Sequence, residues 1–395
     1  MAAFVAVLIT VIAAGFFFLS RRKAVLVSGG VLASLHSRPG YHGFYSFLWV
    51  TLFGAGALLV FTNLSLHPAL ALGVAAIAGI ASSLNIRAET RARNKSEKIV
   101  TGILFACAGV AVLTTIGIVL SLVFETYNFF ESIGWRVDKF LFGPRWSPLS
   151  GLQDGVIDPD RVGIMPLLLG TAMITGIAML IATPIGLFAA IFLSEFASLR
   201  LRGWVKPMME VLAGIPTVVY GFFAAITVAP FLRDTGGLFG VNVASESALA
   251  AGLVIGIMII PSISSLADDV INSVPQSLRD GSYALGATKA ETVRQVVLPA
   301  ALPGIFSALL LGVSRAVGET MVVVMAAGQG ANLTANPLEA VTTVTVQIVM
   351  LITGDTDAST AAGPAFSLAF TLFCLTLVLN ILAMRFVRKY REVYE

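Results

Sequence analysis

Two charges interrupt an otherwise apolar run, GVSRAVGETMVVVMAAG (residues 312–328): Arg315 and, four positions on, Glu319. In a continuous helix starting near Pro303, Arg315 lies about 18 Å along the axis at about 1.5 Å per residue. That is near the middle of a hydrocarbon core about 30 Å thick, where insertion scales put an arginine at about 2.5–3.5 kcal/mol. The spacing of four predicts that both side chains leave the same helix face. Pairing then lowers the burial cost, and removing either partner strands the other charge. The planar guanidinium fork donates two parallel hydrogen bonds and suits a tetrahedral oxyanion. Two readings follow: an anion contact in a translocation path, with Glu319 orienting Arg315 and the hydroxyls of Ser314 and Thr320 beside it, or a structural tie between helices.

A second informative stretch is polar. Residues 280–299 read DGSYALGATKAETVRQVVLP. The pattern predicts a short helix, a turn at Gly286 where a side chain would be strained, and a second amphipathic helix ending at Leu298-Pro299. Pro299 and Pro303 mark entry into an apolar helix, since proline is tolerated in a first turn. The surrounding segment, about 268–300, is far longer than the few residues that join two spans, which implies a partner surface.

The elements that must carry these residues are membrane helices. The chain has 395 residues, of which 57% are hydrophobic and 12% charged, against about 25% charged in soluble domains. Nine apolar windows approach the length of about 20 residues needed to span: 3–20, 46–62, 68–86, 99–124, 163–193, 208–232, 247–267, 301–328 and 362–384. Residues 24–35 are apolar but too short, which fits an interfacial segment. Arg21, Arg22 and Lys23 follow the first window, whereas a signal peptide carries its positive charge ahead of its apolar stretch; the segment reads as a retained helix with its N-terminus outside. With that orientation, segments 21–45, 87–98, 194–207, 268–300 and 385–395 are cytoplasmic and hold 19 of the 25 Lys and Arg residues. The external segments hold Arg136, Lys139, Arg145, Arg161 and Arg233. This is the positive-inside bias, and it places the C-terminus inside. The expected organisation is an all-α polytopic membrane protein: residues 1–98, with about three helices and the charged linker 87–98, then a six-helix portion, 99–395, with an external loop at 125–162. Asp154, Asp158 and Asp160 in that loop read as a solvated cluster or the docking edge for an external protein. Pro184, Pro216 and Pro261 interrupt spans, and Gly252-x-x-x-Gly256 permits close helix approach.

Several function classes find no support. The net charge of +3 is small and dispersed, unlike a nucleic-acid surface. No GxxxxGK[ST] or HExxH pattern occurs, so neither a nucleotide P-loop nor that zinc motif is present. His36, His42 and His67 lack metal-ligand spacing, and Cys107 and Cys374 sit in apolar runs as expected of small buried residues. Nothing in the sequence suggests an enzyme.

The 280–299 stretch resembles the "EAA" loop of ABC importer permeases, matched at Gly286, Val296, Leu298 and Pro299. Asp280-Gly281-Ser282 replaces the opening Glu-Ala-Ala, keeping the acid but placing a glycine that costs about 1 kcal/mol in a helix. SRAVGETM (314–321) is similar to the Arg-Ala-x-Gly-Glu-Thr signature of the Pst-type phosphate permeases, through Arg315, Ala316, Gly318, Glu319 and Thr320. Met321-Val322-Val323 and FGPRWSPLSG (142–151) look more like the PstC than the PstA subunit of that family, and LAGIPTVVYGFF (212–223) is similar to its third core helix. The resemblance covers about 99–395 and implies a type I ABC importer permease core in a bacterial inner membrane. It implies a phosphate path past Ser314, Arg315, Glu319 and Thr320. It also implies a docking surface for a separate ATPase dimer, made by Asp280, Gly281, Ser282, Tyr283, Ala284, Leu285, Gly286, Ala287, Leu298 and Pro299. The implied partners are a second, PstA-like permease, a PstB-like ATPase that binds ATP and Mg, a PstS-like periplasmic phosphate-binding protein, and lipid; no cofactor or metal is implied in this chain. The alternatives are a permease for another oxyanion and a proton-coupled secondary transporter with Glu319 as relay.

Overall fold

In apolar surroundings each backbone N–H and C=O must be satisfied within the chain, so bilayer-length apolar runs form helices. The computed structural model describes residues 1–29, 35–87, 89–150, 157–354 and 358–391. Its helices are α1 (Ala2–Val27), α2 (Pro39–Asn63), α3 (Leu70–Leu84), α4 (Ala92–Ser132), α5 (Val137–Phe142), α6 (Met165–Ile191), α7 (Leu199–Ala213), α8 (Thr217–Phe223), α9 (Ala229–Leu238), α10 (Ala248–Ser273), α11 (Gln276–Ala284), α12 (Lys289–Thr292), α13 (Leu298–Val317), α14 (Met321–Ala326), α15 (Val344–Thr353) and α16 (Ala358–Arg391). Among the described residues eight helical runs are long and apolar enough to cross a membrane.

The chain divides into two compact units, Met1–Ile118 and Val119–Glu395. In the first, α1, α2 and α3 pack around Val5, Ile9, Ala13, Val50, Ala71 and Ala75. A Cβ on Gly54 would stand 2.8 Å from Ile9 and 3.0 Å from Ala75, so glycine sets how closely these helices approach. The third apolar window is shorter than its pattern suggests: α3 has 15 residues, about 22 Å at about 1.5 Å each. It falls short of the other spans because helix starts only after His67-Pro68. Of the apolar segment 24–35, residues through Val27 continue α1, and 30–34 lie outside the described residues.

The second unit is centred on α10, 61% of whose most apolar window is buried, against 28% or less for the other spans. It packs on α6 and α13 through Ile174, Ala178, Val254, Ile255, Met258, Ile259 and Ile263. The Gly252-x-x-x-Gly256 pair does the work its spacing predicts, since added Cβ atoms would lie 2.7 Å from Ile177 and 3.0 Å from the Ala178 carbonyl oxygen. Pro184 and Pro261 stay inside α6 and α10.

Three expectations are corrected. Window 208–232 is not one helix: α7 ends at Ala213, and Pro216, with extended backbone at φ −57° and ψ 137°, starts α8. The spanning run is Thr217–Leu238. Window 301–328 breaks at Gly318–Thr320. After α14 an irregular segment returns to α15 with Val341, Thr342 and Thr343 buried; Ala248 and Leu249 amides bonding the Glu339 and Pro337 carbonyls hold it. Finally, Cys107 is exposed on α4 rather than buried, because that helix presents apolar residues on every side. A Gly252→Leu substitution should force α6 from α10 at about 1–3 kcal/mol of overpacking, lowering the thermal unfolding midpoint of the detergent-purified protein; an unchanged midpoint would show that the two helices are free to separate.

Candidate functional site

The helical break decides where the two intramembrane charges go. Lys289–Val317 is one helical run of 29 residues, and Arg315 sits in its last turn, where a cation meets the negative end of the helix dipole. Gly318 caps the helix, so Glu319 does not share a face with Arg315, and the spacing-of-four pairing does not form. Among the described residues no ion pair joins the two at 4.0 Å or less.

Each charge has its own partner. Arg315 donates from Nη1 to Ser262 Oγ on α10 at 2.7 Å. Among the described residues Ser262 is its one hydrogen-bond acceptor, and a guanidinium has five N–H groups, so most of the fork is open to a ligand. Glu319 is buried and accepts from the Met321 and Val322 amides at 3.1 and 3.2 Å, a carboxylate at the electropositive start of α14. Its backbone carbonyl accepts from Thr345 Oγ1 at 3.1 Å. Glu319 therefore shapes the break and leaves Arg315 unneutralised. Thr320 begins α14 and turns its hydroxyl to the Gly318 carbonyl at 3.4 Å, and Ser314 approaches Asn380 of α16 at 3.5 Å. Ser262 also lines a cleft of 340 Å³ with Lys206, Glu210, Ser264, Ser265 and Asp268. The Ser264 hydroxyl there is buried, with no hydrogen-bond partner among the described residues.

The 280–299 loop has the predicted turn. Gly286 adopts φ +85°, the left-handed region that glycine tolerates. Asp280, Gly281 and Ser282 lie inside α11, which runs through the glycine, and Gln276 supports Asp280 at 3.1 Å. Tyr283 and Leu285 project outward, Leu285 being 91% exposed; Ala284 and Gly286 are also exposed and Ala287 partly so. The second helix departs from expectation. It starts with a Thr288–Glu291 capping box, which satisfies two orphan amides, and it does not end at Leu298-Pro299. Through a π-helical turn, Val293–Val297, it continues into α13, with Leu298 and Pro299 in the first turn of that helix. The loop and Arg315 are thus two ends of one rod.

Sequence reasoning missed the charges that fasten this end of the bundle. Asp268, 2% exposed, accepts from Arg202 at 2.9 Å and Lys206 at 3.0 Å, and Lys206 also reaches Asp269 at 3.0 Å. Those hydrogen bonds, to Asp268 first, hold the Lys206 ammonium above the usual lysine range. Arg279 pairs with Glu195 at 2.9 Å with both side chains buried. Acids at the ends of apolar runs, Glu195 and the Asp268-Asp269 pair, were the available signal. On the far side, Asp158 and Asp160 are matched by Arg161 at 3.3 Å and Lys139 at 2.8 Å. The hydrogen bond from Lys139 keeps the Asp160 carboxyl below the usual range. Asp154 lies outside the described residues. Trp146 is buried and donates to Gln347 Oε1 at 3.1 Å.

Residues 182–392 match the family model described as "Binding-protein-dependent transport system inner membrane component". Residues 6–65 match a second, described as "Phosphate ATP-binding cassette transporter". A probable ABC transporter permease protein, YqgH of Bacillus subtilis, is 33% identical over 74% of this chain and 90% of its own length. The phosphate transport system permease protein PstC of Mesorhizobium japonicum is 29% identical over 70% of this chain and 87% of its own. PstC 1 of Mycobacterium bovis is 34% identical over 63% and 81%.

The carboxylate at the break is open to test. Glu319→Ala leaves the buried Val322 amide unmet, at about 1–3 kcal/mol, and the partly buried Met321 amide with it, and should lower the thermal midpoint. Glu319→Gln keeps an acceptor oxygen and should lower it less. Equal midpoints for the two variants would remove the capping role.

Proposed function

The chain belongs to the family of binding-protein-dependent transport system inner membrane components, and we propose from this membership that Arg315 is its contact for a passing phosphate. The chain is the multi-pass permease subunit of an ABC importer of inorganic phosphate, PstC-like, and performs no chemistry of its own. The observation that carries the role of Arg315 is its open guanidinium. A half-buried cation with a single hydroxyl acceptor among the described residues has donors to offer an oxyanion, and phosphate accepts them in the bidentate geometry that arginine favours.

On this reading an external phosphate-binding protein delivers the anion to a path shared with a second, PstA-like permease. Ser314 and Thr320 flank Arg315 there, and Glu319 holds the break that keeps the fork free. A PstB-like ATPase dimer holds ATP and Mg and receives the exposed Tyr283 and Leu285 with the rest of 280–287. Its cycle shifts the population between outward- and inward-open states. Leu298 and Pro299 pass the movement into α13. The positive-inside bias places the N-terminus outside and the C-terminus inside the bacterial inner membrane, with the short α3 crossing as a ninth span beside the eight longer runs. Residues 1–98 add α1–α3 as a lipid-facing scaffold.

Arg315→Gln tests the path. An arginine–phosphate bond contributes about 1.5–3 kcal/mol, so uptake at limiting phosphate should fall about 10- to 100-fold in vesicles carrying the assembled transporter. The ATPase should still copurify with the variant. Wild-type uptake by Arg315→Gln would return the residue to a structural role.

A further inference from the structure

At the inner end of the bundle one side chain joins α6, α10 and α11. Arg279, on the buried side of α11, is 7% exposed. Its guanidinium spends its donors on three acceptors in two elements. Nη2 and Nε reach Glu195 Oε1 at 2.9 and 3.3 Å, in the π-helical turn Phe192–Phe196 that ends α6. Nη2 also donates to the Ile271 carbonyl at 2.8 Å, and Nη1 to that of Val274, at the C-terminal end of α10. Carbonyls left over at a helix end take such donors readily. Two smaller contacts close the loop on itself and on α6. Ser282 and Thr292 share a hydroxyl hydrogen bond at 2.9 Å, and the Lys289 ammonium stands 5.3 Å from the Phe196 ring centre.

A buried ion pair is a poor way to gain stability, because an apolar pair of similar volume does as well. What a planar fork with fixed donors adds is geometry. Here it fixes α11 relative to α6 and α10 together. From α10 the path to the transport residue is short. Ser262, on the same helix as Ile271, holds Arg315, while α12 and α13 reach Arg315 from the loop's other end as one helical run.

Resting on the permease reading above, we propose that the Arg279–Glu195 clamp converts a push on α11 into a joint movement of the inner ends of α6 and α10, and so links nucleotide hydrolysis to displacement of Ser262 and Arg315. Without the clamp α11 rocks on its own, hydrolysis continues and the stroke is lost. Arg279 and Glu195 are positioning residues that touch no substrate.

The test uses the assembled transporter in proteoliposomes with its paired permease, ATPase and binding protein, reading phosphate uptake and ATP hydrolysis in the same vesicles. Glu195→Gln keeps the side chain's shape and an acceptor oxygen. It should lower phosphate moved per ATP about tenfold, equivalent to about 1.4 kcal/mol of lost linkage, with hydrolysis within about twofold of wild type. Arg279→Gln should do the same, and the double variant should fall no further, since both changes remove one interaction. Parallel loss of uptake and hydrolysis, an unchanged ratio, additive effects in the double variant, or failure of Glu195→Gln to assemble would each overturn the clamp. Wild-type vesicles that hydrolyse ATP without taking up phosphate would instead contradict the permease reading itself, and they are measured first.

Discussion

The guanidinium of Arg315 and its one acceptor among the described residues, Ser262 Oγ at 2.7 Å, set the terms for the rest of the chain. A cation in an apolar bundle costs about 2.5–3.5 kcal/mol on insertion scales. Proteins usually meet such a cost with a carboxylate. The nearest one in sequence, Glu319, is bound instead to two amides at the start of α14. This arrangement needs a helix that stops at Gly318 and a second that starts at Met321. It also needs a neighbour, Thr345, that fixes the carbonyl between them. On the function proposed above, the charge left open is what a passing oxyanion meets.

Two helices connect that site to the far end of the bundle. The run Lys289–Val317 carries Arg315 near one end and the capped start of the loop helix near the other. It is about 43 Å long at about 1.5 Å per residue. The most buried helix, α10, carries Ser262 in its middle and, at its end, the carbonyls that receive Arg279. Close packing makes such elements respond as units rather than deform. An exposed apolar tip at Tyr283 and Leu285 is therefore mechanically near to Arg315 despite its distance.

Much of this was legible in the sequence where one local property decides the outcome. Apolar length found α1, α2, α4, α6, α10 and α16, and the glycine at 286 marked a turn that takes φ +85°. The spacing of Gly252 and Gly256 anticipated the tight α6–α10 contact. Legibility ended where distant partners decide. Hydropathy runs straight through Gly318-Glu319-Thr320, because it does not register a carboxylate that turns onto the next two amides, nor Thr345, 26 residues away. The spacing of Arg315 and Glu319 then gave a false pair. The irregular return through Val341–Thr343 carries two threonines and reads as exposed, yet it is buried, with the start of α10 bonding Pro337 and Glu339 just before it and Val341 bonding the Ala327 carbonyl. The Thr288–Glu291 capping box was readable by its own rule and explains why the loop helix starts where it does. The burial of Arg279 was not readable, since it depends on Glu195, 84 residues away.

The membership in a family of ATP-driven importers and the geometry of the loop converge on one requirement, that movement of phosphate draws on a separate nucleotide-hydrolysing subunit. The most direct measurement loads proteoliposomes with the purified membrane subunits, with and without the ATPase, and follows uptake of phosphate from its binding protein under either internal ATP or an imposed proton gradient. Uptake that requires both the ATPase and ATP, and ignores the gradient, is the result expected. Uptake driven by the gradient in vesicles lacking the ATPase would contradict the account.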